Sequence, residues 1–165
     1  MLDPMLHALW QIGLTLAVGS STFALIFYFK AIADNVIDAT ERSFLHTVYF
    51  VLRIGLVILI VSEVFSALAN ISNPAYFADP DFLMRITLLA VIIGNASLMQ
   101  FHAMPMWLGP ALAGGSWYSY FALSVFSPTG LPYAMLISFY LAFVALSVLG
   151  LHTIEGMVRK RPNGH

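Results

Sequence analysis

The sequence predicts an all-α integral membrane protein, a bundle of about five transmembrane helices, with four helices plus a re-entrant segment as the alternative. Three observations carry that expectation. Of 165 residues, 60% are hydrophobic and only 9% are charged, whereas an ordinary soluble domain is about a quarter charged. Mean hydropathy is +0.87. The few charges are also clustered, leaving uncharged stretches long enough for the roughly 20 apolar residues that a helix needs to cross a bilayer. From Ile86 to Ile154 there is no Asp, Glu, Lys or Arg, more than two crossings' worth of chain.

Composition excludes several function classes as well. Without Cys there can be no disulfide framework, thiolate zinc site, iron–sulfur cluster or thiol catalysis. A net charge of −1 and no basic face argue against nucleic acid as a partner. No nucleophile elbow, phosphate loop, His-Glu-x-x-His motif or catalytic carboxylate pair occurs, so the chain is not expected to be an enzyme. No repeat or linker divides 1–165, which reads as one helical domain.

The first span covers about 5–30. Pro4 to Phe29 carries no formal charge, and Asp3 stands where a cleaved signal would need basic residues, so the segment is expected to be retained. The second span covers about 43–70. Asp38-Ala39-Thr40-Glu41 fits a capping box and should start its helix. Ile71 to Ala78 reads as a loop. Asp79-Pro80 is the next start signal, because Asp caps and Pro at the first helical position loses no needed hydrogen bond. The third span covers about 81–104 and stops at Pro105. The segment 107–127 is one span long but interrupted by Gly109-Pro110 and Gly114-Gly115, hence the alternative of a broken or re-entrant segment. The last span, 131–158, starts at Pro132 and closes at Arg159-Lys160-Arg161.

Five spans with the N-terminus outside place Lys30, Arg42, Arg159, Lys160 and Arg161 in the cytoplasm and only Arg85 outside, in accord with the positive-inside rule. The expected location is the inner (plasma) membrane, multi-pass, with the C-terminus cytoplasmic.

Ionisable groups inside spans are rare and mark function by default. The second span carries His46, Arg53 and Glu63, and the third carries Arg85, Asn95 and His102. In an antiparallel pair, residues at one depth have position numbers with a constant total. His46 with His102, Arg53 with Asn95 and Glu63 with Arg85 share one total. A seven-residue step falls only about 20° short of two turns, so His46 and Arg53 share a face, as do Asn95 and His102. The expectation is a three-rung ladder between spans two and three, with Glu63–Arg85 an ion pair at the outer end.

His46 and His102 at one depth suggest ligands for haem b or a transition metal, with Arg53 and Asn95 beside the cofactor. His152 and Glu155, one turn apart near the end of the last span, would complete a metal set. Met99, Met104 and Met106 around His102 admit copper. The leading expectation is therefore a haem- or metal-binding electron-transfer membrane protein. A small ion or proton channel or transporter and a scaffold subunit of a larger complex are the alternatives. The lipid bilayer is the expected partner, with a homo-oligomer or larger assembly possible in each case.

Gly13, Ala17 and Ser21 at four-residue spacing predict close helix packing. Trp107, Trp117, Tyr118, Tyr120, Tyr28 and Tyr133 read as interfacial anchors.

Overall fold

A computed structural model describes residues 2–34, 38–101, 103–104, 108–127 and 129–159, with side chains described for all of these except 2–3, 31–34 and 154–159. Six helices are present among them: α1 (Leu2–Asp34), α2 (Ala39–Ala69), α3 (Pro74–Ala78), α4 (Pro80–Gln100), α5 (Leu108–Phe126) and α6 (Tyr133–Arg159). There are no strands among the described residues. Four helices, α1, α2, α4 and α6, are long and apolar enough to cross a membrane. This is an all-α, multi-pass membrane bundle.

The local signals act where their chemistry requires. Asp38 accepts from the Glu41 amide at 2.6 Å while the Glu41 carboxylate accepts from the Asp38 amide at 3.2 Å, completing the capping box at α2. Asp79 accepts from the amides of Asp81 and Phe82 ahead of α4. The loop expected over Ile71 to Ala78 contains the one-turn helix α3, which Pro74 opens.

α1 packs most extensively on α2. Their crossing is set by Gly13, Ala17 and Gly55: a methyl on Gly55 would stand 2.8 Å from the Gly13 carbonyl oxygen and from the Ala17 nitrogen. Small residues at this spacing let two backbones touch, as the sequence pattern on α1 predicted.

α5 departs from expectation. Gly109-Pro110 and Gly114-Gly115 do not break it, and it runs unbroken from Leu108 to Phe126. Its glycines are contact surfaces instead. Gly109 receives Met99, Gly114 receives Leu25 and Gly115 receives Val144, because α5 lies between α1, α4 and α6. Central placement also explains Trp117 and Tyr120, 2% and 0% exposed, which are core fillers and not the interfacial anchors expected. Trp107 lies outside the described residues.

The core comprises Leu14, Ala17, Leu59, Met84, Leu88, Ile92, Trp117 and Tyr120. The outward faces of α2 and α6 expose large apolar side chains, among them Phe50, Val57, Phe65, Phe139 and Leu146, the surface a lipid-facing helix presents. Gly130, at φ 63°, turns the chain between α5 and α6.

Candidate functional site

Contacts across the bundle fix the direction of each helix. Trp10 and Leu25 of α1 meet Tyr120 and Gly114 of α5, and Asn95 of α4 meets Gly109. Thr87 near the start of α4 meets Tyr133 at the start of α6. Thus α1, α4 and α6 run one way and α2 and α5 the other, and the first and last helical residues lie at opposite ends of the bundle. α5 spans the same height as α4, from the level of Asn95 to that of Asp81.

The outer rung of the expected ladder is present and has more members than expected. Glu63 is 4% exposed, and one carboxylate oxygen, Oε1, accepts from Arg85 Nε at 2.9 Å, Tyr120 Oη at 2.9 Å and Trp10 Nε1 at 3.0 Å. A carboxylate in so dry a place is costly unless both its charge and its lone pairs are answered. Arg85 answers the charge from α4, and α1 and α5 each supply a donor. Tyr76 and Phe82 meet beside the site with ring centres 4.7 Å apart and planes tilted by 46°, and the Arg85 guanidinium is 5.9 Å from the Phe82 ring centre. Burial, followed by the nearby Glu63 carboxylate, holds the Tyr76 phenol above its ordinary range. A cavity of about 390 Å³ opens beside the network, lined by His7, Trp10, Glu63, Ser66, Asn70 and Arg85 among others.

The middle rung is present only as a shared cavity. Arg53 and Asn95 both line a space of about 360 Å³, with Tyr49, Met99 and Trp117, and no hydrogen bond joins them. Asn95, 4% exposed, donates its Nδ2 to the Gly109 carbonyl at 3.0 Å. A carbonyl can only accept, which fixes the amide's orientation. Asn95 Oδ1 is then left buried with no hydrogen-bond partner among the described residues. Arg53 is exposed and forms no ion pair among the described residues.

The innermost rung is not described, since His102 lies outside the described residues, as do Met106 and the side chain of Glu155. His46 and His152 have exposed side chains. Among the described residues no group of three or more His, Asp or Glu is placed to hold a metal ion.

One premise of the ladder is corrected: α2 and α4 are not a packed antiparallel pair. α2 rests on α1, and direct contact between α2 and α4 is slight. Glu63 and Arg85 meet because long side chains cross the gap, while Arg53 and Asn95 leave it open.

Sequence reasoning missed Trp10, Tyr120 and Asp81. Asp81 is 5% exposed and accepts from Ser127 Oγ at 3.0 Å, the Thr129 amide at 2.9 Å and the Thr129 hydroxyl, pinning the α5–α6 turn to the first turn of α4. A Trp or Tyr inside an uncharged span has one polar atom needing a partner when buried. That signal was legible for Trp10 and Tyr120, but not the partner.

The two cavities stack in one column between α1, α2, α4 and α5. On α2, Leu56 lines one and Glu63 the other, a separation of about 10 Å at ~1.5 Å per residue. Buried Leu14, Leu59, Leu88 and Ser62 lie in the interval. The chain matches no protein-family model, no curated protein and no solved structure. Fold and composition define its class, a multi-pass helical membrane protein.

Proposed function

We propose that this protein is a small membrane channel or transporter that moves an ion or proton along the α1/α2/α4/α5 column. The observation that carries the reading is the pair of stacked cavities, each with ionisable side chains in its wall, divided by a short plug of buried side chains. Ionisable groups within spans characteristically line such paths. Glu63 is the central group: its ion pair with Arg85 lies in the wall of the outer cavity, and Trp10 and Tyr120 would keep the carboxylate hydrogen-bonded if Arg85 swung away. In this reading the chain sits in the inner (plasma) membrane with the N-terminus and the Glu63 end outside, as the basic residues favour.

Liposome flux tests it. Purified protein should dissipate an imposed proton or ion gradient, and Glu63→Gln should slow that flux at equal insertion. Leak no faster than in protein-free liposomes overturns the reading.

The competing reading, an electron-transfer protein holding haem b or a transition metal at His46 and His102 with His152 and Glu155 nearby, is supported by position. The start of α2 and the ends of α4 and α6 lie at the same end of the bundle. A Soret band or stoichiometric metal, lost on His46→Ala or His102→Ala, would establish it in place of transport.

A further inference from the structure

We propose that the gap between α2 and α4 is a binding site for the head group of an anionic phospholipid whose head also carries a hydroxyl donor, as a phosphoglycerol head does. The inference does not rest on the transport reading: a head group seated in the inner cavity would obstruct the column at that level, so the two readings compete for this space and are tested separately.

Charge complementarity comes first. Arg53 is exposed on α2 among the apolar Phe50, Ile54 and Val57, and it has no ion-pair partner among the described residues. A guanidinium in a membrane needs an anion, water or a cluster of carbonyls. Its planar fork suits a phosphate, which it can meet with two parallel hydrogen bonds.

The second observation is independent of the first. Asn95 lines the same cavity, and its buried Oδ1 has no donor among the described residues while its Nδ2 donates to Gly109. A buried acceptor left unpaired is costly. A hydroxyl entering with the phosphate supplies what it lacks.

Access and depth fit a lipid as the source. α2 and α4 scarcely touch, and most of the wall of the cavity that both line is apolar, including Leu52, Leu56, Ile92 and Met99, as the chains of a lipid require. Asn95 is five residues before the end of α4 at Gln100, about 7.5 Å at ~1.5 Å per residue. A head group at that level lies near the end of the shorter helices, with its chains directed between α2 and α4.

The test uses the full chain purified in an uncharged detergent, with thermal unfolding and native mass spectrometry as readouts. Phosphatidylglycerol, phosphatidylcholine and glycerol 3-phosphate are added separately. Phosphatidylglycerol should raise the melting temperature and remain bound, whereas phosphatidylcholine, with no net charge and no head-group donor, should do neither. Arg53→Gln should weaken retention at least about tenfold, the scale expected for losing a charge-assisted bidentate contact. Arg42→Gln, which removes an exposed charge near the start of α2, should leave it unchanged. Equal stabilisation by both phospholipids, or equal loss with Arg42→Gln, overturns the site. Stabilisation by glycerol 3-phosphate alone means the occupant is a free solute and overturns the lipid assignment. Should Arg53→Gln fail to fold, retained discrimination by Arg53→Lys and by the unaltered chain carries the same decision.

Discussion

The two ends of the α1/α2/α4/α5 column hold similar ingredients in opposite states. At the Glu63 end a buried carboxylate has a cation and two further donors within 3.0 Å. At the Arg53 end, among the described residues, a cation has no anion and a buried amide oxygen has no donor. The first arrangement supplies its own counter-charge and donors and so ties four helices together while Arg85 is in place. The second lacks complementary groups, which is the condition of a site that binds something else. Polar residues in a membrane protein are thus not of one kind, and their hydrogen-bond accounts separate groups already paired within the protein from groups left to pair with something else.

The sharpest way to break this contrast is at the complete end. Replacing Arg85 by Gln leaves the Glu63 charge buried and uncompensated, which typically costs ~3 to 5 kcal/mol. Thermal unfolding in detergent should show Glu63→Gln and Arg85→Gln each strongly destabilising, and the double replacement milder than their sum. Strict additivity would mean that the pair is not energetically coupled.

A smaller loss should follow Tyr120→Phe, which deletes one donor to the carboxylate without opening a cavity. Hydrogen bonds to charged groups contribute ~1.5 to 3 kcal/mol, and the same melting measurement reads it. No loss would mean that Trp10 and Arg85 suffice.

Gly55→Ala probes the α1–α2 crossing between the two ends. Its new methyl meets backbone atoms at 2.8 Å, which cannot yield as a side chain would, so a cost of ~1 to 3 kcal/mol is expected. Gly94→Ala, with nothing within 4 Å of the added carbon, should instead gain ~0.5 to 1 kcal/mol from helix propensity. Equal effects at the two glycines would remove the close crossing from the account.

The smallest effect is expected at the incomplete end. Arg53→Gln in detergent without lipid should change stability by no more than ~0.5 kcal/mol, because no partner is lost. A large loss there would show that Arg53 is a structural member after all, and the contrast between the two ends would vanish.

Much of this molecule was legible one helix at a time. Hydrophobic length and charge spacing mark the long apolar helices, and Asp38-Ala39-Thr40-Glu41 and Asp79-Pro80 mark two helix starts, because these signals act within a few residues of chain. The Glu63–Arg85 pair was legible too, since two opposite charges inside neighbouring spans have few other ways to be neutralised. Helix neighbours were a different matter. An expected α2–α4 ladder gave way to α2 against α1, where Gly13, Ala17 and Gly55 permit a close backbone approach. Likewise the glycines of α5 resembled breaks until three helices were packed around them. Which carboxylate Trp10 and Tyr120 would serve, and that Arg53 and Asn95 would share a cavity without a bond, depend on distances between segments far apart in the chain. Such distances follow from the best joint packing of all the helices, and local pattern carries no information about them.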